Sequence, residues 1–244
     1  LSGGKNSNQI TKYDTLTGSE VKAIELPSNV YGHATVVQHG YLYILGGFAD
    51  TSCSNLNLCY RPQKDEWVQE ESLINGKAFF TAEVVGKKIY VIDGQVSNSG
   101  SVKTVEVYDI STGTWSSCTE LSEGKQHLAS ATIDGKIYVC GGDYSSYVMP
   151  YSNELEVYDP ANGIWTEKAN MPEGLAMHKA VSLNGYLYVV GGYTDNGYSQ
   201  NVYKYDPIND SWSTVAPLPV PIVNHGVVSV NGKIYALGGQ NSTG

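Results

Sequence analysis

Apolar residues in this chain come in short runs that close on a glycine or alternate with polar residues. They never recur at helical spacing over a long stretch. Tyr186-Leu-Tyr-Val-Val190 and Lys136-Ile-Tyr-Val-Cys140 read as strands, and Val105-Glu-Val-Tyr108 has the two-residue alternation of a half-buried one. Asn184-Gly185, Asn231-Gly232 and Asp134-Gly135 sit between successive runs. Such pairs accept positive φ at both central positions of a two-residue hairpin. The pattern predicts short antiparallel strands and almost no helix.

The runs repeat. Strand tyrosines fall at Tyr43, Tyr90, Tyr138, Tyr188 and Tyr235, with spacings of 47, 48, 50 and 47 residues. A second series, Tyr13, Tyr60, Tyr108, Tyr158 and Tyr205, has the same four spacings. Seven residues later come Trp67, Trp115, Trp165 and Trp212, with Glu20 in the first copy. Paired glycines close the second strand at Gly3-Gly4, Gly46-Gly47, Gly141-Gly142, Gly191-Gly192 and Gly238-Gly239, and Asp93-Gly94 stands in one copy. Each unit divides into four strands. Such a unit cannot bury both faces alone, and radial stacking buries each sheet between two others. Tyrosine and tryptophan suit this packing because each buries about 150–250 Å2 and still offers an OH or NH. These recurrent residues are read as structural.

An apolar strand, Gly-Gly, and then a spaced Tyr and Trp resemble the kelch repeat, and the likeness runs from Gly3 to Gly239. It implies an all-β propeller of four-stranded antiparallel blades, with residues 1–244 as one domain. Departures are Glu20 for tryptophan, Asp93 for glycine and Arg61 for the aspartate after Tyr60. Five repeats predict five blades, closed if residues 225–238 complete the sheet begun by residues 8–23. Six blades with one repeat missing is the alternative.

Net charge is −9. This argues against nucleic acid or an anionic membrane surface as partner. Cys53, Cys59, Cys118 and Cys140 include no Cys-x-x-Cys pair, so no structural zinc site is expected. Cys140 reads as a small buried hydrophobe, and Cys53 and Cys59 are either bridged or free. This usage fits a reducing, cytoplasmic setting. No nucleophile elbow, phosphate-binding loop or His-Glu-x-x-His occurs. His33, His178 and His225 precede a turn glycine by seven residues and His127 by eight, with Phe79 near the same place in another blade. If first strands line the axis, these imidazoles could converge. The simpler reading is a repeat residue bonded within its own blade. No catalytic residue, metal ligand or cofactor is assigned.

Alternating strand directions put the loops between second and third strands on one side, together with the links between blades. The non-recurrent residues lie there: Phe48, Gln95, Tyr144, Tyr147, Tyr151, Tyr193 and Tyr198. Loop tyrosines among small polar residues make large contacts at low entropic cost. Asp50, Asp143 and Asp195 favour a basic partner peptide. The expectation is a monomeric, non-enzymatic module binding a protein or peptide. The resemblance implies a likeness to kelch domains that recruit substrates for cullin-type ubiquitin ligases or bind actin. A second reading is a carbohydrate-active mutarotase or oxidase with its site at the axial mouth, and a third is a trimmed or designed propeller without a native partner.

Overall fold

In a computed structural model of the protein, residues 2–4, 7–14, 16–97, 100–144 and 150–241 are described. Among them there is no helix. Four sheets each have four antiparallel strands in chain order from inside to outside. Blade one comprises Ala34–Gln38, Tyr41–Leu45, Asn57–Arg61 and Glu66–Gln69. Blade two comprises Thr81–Val85, Lys88–Ile92, Val105–Asp109 and Thr114–Cys118. Blade three comprises Ala129–Ile133, Lys136–Cys140, Leu155–Asp159 and Ile164–Lys168. Blade four comprises Lys179–Leu183, Tyr186–Val190, Val202–Asp206 and Ser211–Thr214. A three-stranded sheet (Ser2–Gly4, Ser7–Tyr13, Glu20–Glu25) precedes them, and a hairpin (Gly226–Val230, Lys233–Leu237) follows.

The period sets the register. Tyr60, Tyr108, Tyr158 and Tyr205 lie opposite Trp67, Trp115, Trp165 and Trp212, and Tyr13 lies opposite Glu20. The hairpin turns hold Asp134, Asn184 and Asn231 at φ between 49° and 52°, each followed by a glycine near 75–79°. The expected joining of the chain ends is not made by strand pairing among the described residues. Ser2–Gly4 already occupies the edge of Ser7–Tyr13 that the last strand would take, and Lys233–Leu237 pairs only with Gly226–Val230.

Apolar clusters fill the spaces between neighbouring sheets. Leu45 and Phe80 meet Ile89 and Tyr108 between blades one and two, while Ala131 and Leu155 meet Leu187 and Tyr205 between blades three and four. The tryptophans are half-buried, and each ties its blade to the preceding sheet. Their indole N–H groups donate to the carbonyls of Glu25 (3.0 Å), Glu71 (2.8 Å), Thr119 (2.9 Å) and Ala169 (2.7 Å) in turn. Links entering the blades are anchored by buried ions. Glu106 accepts from the backbone of Ile74 and faces Lys77 Nζ at 3.3 Å, and Glu156 accepts from Ser122 and faces Lys125.

The Gly-Gly pair has a steric cause. A Cβ on Gly141 would come 2.5 Å from both the Leu175 carbonyl and the His178 ring. Asp93 fills the same place at φ +63°, and blade three has Leu128 where blade four has His178. Its carboxylate accepts from the Lys125 and Gly94 amides at 2.8 and 3.1 Å. Burial still raises its pKa well above the usual carboxylate range, against the pull of those bonds and of Lys125 and Lys77.

Candidate functional site

Five residues lead into the inner strands in left-handed backbone: Gly32, Phe79, His127, Met177 and Asn224, with φ between 54° and 65°. They are joined in series around the ring. The amide of Phe79 donates to the Gly32 carbonyl (2.7 Å), His127 to Phe79 (2.8 Å), Met177 to His127 (2.9 Å) and Asn224 to Met177 (3.2 Å). A Cβ on Gly32 would lie 2.6 Å from the Phe79 ring, so glycine there leaves room for the ring.

The residue before each of these pairs with the residue after Gly-Gly: Tyr31 with Phe48, Ala78 with Gln95, Gln126 with Asp143 and Ala176 with Tyr193. Three expected site residues, Phe48, Gln95 and Tyr193, therefore occupy equivalent places on successive blades. The loops they open are short hairpins, Phe48–Ala49 with Ser52–Cys53 and Tyr193–Thr194 with Gly197–Tyr198. In blade two, Gln95–Val96 is flanked by Lys77–Ala78 and Gly100–Ser101.

Two aromatic groups result. Tyr193 stands edge-on to Tyr151 (centroids 5.9 Å apart) and to Tyr198 (5.2 Å), so three expected residues do converge. Tyr198 is 38% exposed. Phe48 joins a different row, in which Phe48–Tyr31, Tyr31–Phe79 and Phe79–His127 lie 5.5, 5.9 and 4.6 Å apart. Tyr144 is half-buried within electrostatic range of Lys125. Tyr147 lies outside the described residues. Tyr31, Phe79 and His127 were not singled out as site residues from sequence.

The histidines divide into two kinds. His33, His178 and His225 occupy the place of Phe80 and Leu128, between blades rather than in the channel. Phe80, not Phe79, is their counterpart, because in blade two Gly86 sits one place earlier in the turn. Burial, aided by nearby Lys179, pushes His178 down to about 3 and His225 to about 4, so both are neutral at physiological pH. His127 instead donates from Nδ1 to Asp143 Oδ2 at 2.6 Å. Among the described residues no group of His, Cys, Asp or Glu is placed to hold a metal ion. All four cysteines are free, and burial pushes the Cys140 thiol up to about 12.

Inner strands of blades two to four and the last hairpin line a cavity of about 330 Å3 with small residues, among them Ser182 and Ser229. Its carboxylate, Glu83, accepts from Ser130 and Thr132 at 2.8 Å each, and burial raises its pKa despite those donors. Lys179 is solvent-accessible on the inner strand of blade four yet enclosed by protein, which lowers its pKa.

Charge is unevenly shared. On the loop side Lys77 and Lys125 are buried in ion pairs, and Lys103 faces Glu120 at 3.7 Å. Asp50, Glu123, Asp143 and Asp195 lie on the same side. Exposed lysines such as Lys64, Lys87, Lys88 and Lys233 lie on the opposite, turn side.

These blades and their recurring Tyr–Trp pairs make the protein a kelch-repeat β-propeller. A family model described as the Attractin/LZTR1 β-propeller matches residues 2–244, and the chain belongs to that family. It is 34% identical to Kelch-like protein 40 of Xenopus laevis over 118 residues, 48% of this chain and 19% of that protein. Human Kelch-like protein 23 is 31% identical over 150 residues (58% of this chain, 27% of that one). Alpha-scruin of Limulus polyphemus is 27% identical over 150 residues (57% and 16%). The chain thus spans less than a third of each of these relatives. The solved structure of YjhT matches its fold with a TM-score of 0.86 at 18% identity, covering 100% of this chain and 87% of that one. No helix among the described residues is long and apolar enough to cross a membrane.

Proposed function

We propose that the chain is a non-enzymatic interaction module whose loop face binds a protein or peptide of basic character. The observation that carries this reading is the convergence of Tyr151, Tyr193 and Tyr198 on the loop face, Tyr193 and Tyr198 on one hairpin held by a rigid blade and none of the three part of the repeat signature. Aromatic anchors on a preorganised scaffold lose little entropy on binding. The similarity to kelch-like proteins supports a role in presenting a partner, as substrate-recognition domains of cullin-type ligases or actin-binding kelch domains do, in a cytoplasmic setting. The test is affinity capture with the parent chain and with a Tyr151→Ala/Tyr193→Ala/Tyr198→Ala variant of unchanged thermal stability. Partners retained by the variant would count against the loop face.

The cavity beside Glu83 favours a second reading, a carbohydrate-active site at the axis. NMR of reducing sugars with and without the protein tests it. Faster anomer exchange that is abolished by Glu83→Gln would support an enzyme.

A further inference from the structure

We infer that the row formed by Tyr31, Phe79, His127 and Asp143 is a subsite for a cationic side chain, lysine or arginine, of the bound partner. This rests on the loop face being the binding surface and adds the chemistry that selects what enters it.

The rings come first. From Phe48 through Tyr31 and Phe79 to His127 they form an unbroken row across blades one and two to the start of blade three. Phe79 and His127 are fixed by the series of backbone hydrogen bonds around the ring. Ring faces attract a cation within about 6 Å of the centroid, by roughly 0.5–1 kcal/mol at exposed sites. The chain makes one such contact itself, with Lys204 Nζ 3.4 Å above the Tyr186 ring centre.

The row ends on a carboxylate held in place. Asp143 Oδ1 accepts from Gln126 Nε2 at 2.8 Å and Oδ2 from His127 Nδ1 at 2.6 Å. Each carboxylate oxygen has a further lone pair. The Asp143 side chain keeps 17% of its surface accessible, so its aim is fixed while it remains open to a further donor. A lysine or arginine supplies such donors and also suits the rings; a neutral or anionic side chain suits only one of these elements or neither.

Charge complementarity decides the sign. Among the described residues of this side, Lys77, Lys125 and Lys103 are committed to Glu106, Glu154, Glu156 and Glu120, which leaves Lys168 and Lys179 as the cations the nearby carboxylates must outweigh. Asp50 and Asp195 lie on the neighbouring hairpins. An acidic segment would be repelled on approach and a basic one drawn in.

The experiment is selection of a displayed library of random dodecapeptides on the folded chain, followed by affinity measurements with three variants. Enriched peptides should carry Lys or Arg. They should weaken about tenfold, or about 1.4 kcal/mol, on Asp143→Asn or Phe79→Leu, and weaken further as salt rises. Peptides that depend on Tyr193→Ala but show no basic enrichment and ignore Asp143→Asn would overturn the cationic subsite and leave the loop-face reading standing. Peptides indifferent to all three substitutions, or no enrichment at all, would overturn both. Thermal melting checks each variant, and if Phe79→Leu melts early, Asp143→Asn alone decides.

Discussion

Trp165 donates its indole N–H to the carbonyl oxygen of Thr119, 2.9 Å away at the end of the preceding blade. The same bond recurs at Trp67, Trp115 and Trp212, so the blades are latched as well as packed. Trp165→Ala removes the latch and the ring whose centroid lies 5.0 Å from that of Tyr158. It should cost about 3 kcal/mol, at the low end for a large aromatic because the indole is half-buried. Trp165→Phe keeps the ring and loses the donor, costing about 1 kcal/mol. Urea unfolding measures both, and equal losses would place the energy in the hydrogen bond alone.

His178 and His225 make the fold acid-sensitive. Their folded pKa values, about 3 and about 4, lie below the ordinary 6.5, so the unfolded chain binds more protons in between. Stability is full above pH 6.5 and falls as pH drops toward 4, by about 1.4 kcal/mol per unit for each histidine. His225→Phe, which copies Phe80 of blade two, should leave stability at pH 7.5 little changed and flatten this fall. Melting temperature against pH reads the difference, and an unchanged slope would refute it.

Asp93 behaves in the opposite sense. Its folded pKa is raised, so its contribution is greatest at low pH and is lost as pH rises through that value. Asp93→Asn keeps an acceptor for the Lys125 amide and removes the buried charge. It should raise the melting temperature at pH 8, with the gain shrinking in acid. Asp93→Gly relieves the backbone but strands that amide, and should cost about 1–3 kcal/mol. Chemical denaturation at two pH values separates the pair.

Much of the fold was legible because stacking blades imposes a spacing. Tyr158 opposite Trp165, and Asn184-Gly185 in its turn, follow from the period and from turn chemistry alone. The site was half legible. Tyr193 and Tyr198 stood out as non-recurrent, but Tyr31 sits where other blades have Ala78, Gln126 and Ala176, and no pattern marks it. Distance from the turn glycine groups His127 with His178. A one-residue offset moves a side chain from between the blades to the loop face, and only strand register reveals it. How the chain ends meet is not legible for a similar reason: spacing cannot show that Ser2–Gly4 takes the edge of Ser7–Tyr13.

Replacing Tyr193 and Tyr198 together by alanine should leave the melting temperature within a few degrees and weaken partner binding at least tenfold. Both lie on a two-rung hairpin outside the interblade clusters. A large drop in melting temperature would make them packing residues.

Hydrogen–deuterium exchange of the chain with and without a captured partner or selected peptide tests the central claim most directly. Protection should fall on Phe48–Cys53, Gln95–Ser101 and Tyr193–Tyr198, with no change at the Asp134-Gly135 and Asn184-Gly185 turns. Protection confined to those turns, or to the inner strands around Glu83, would contradict the account.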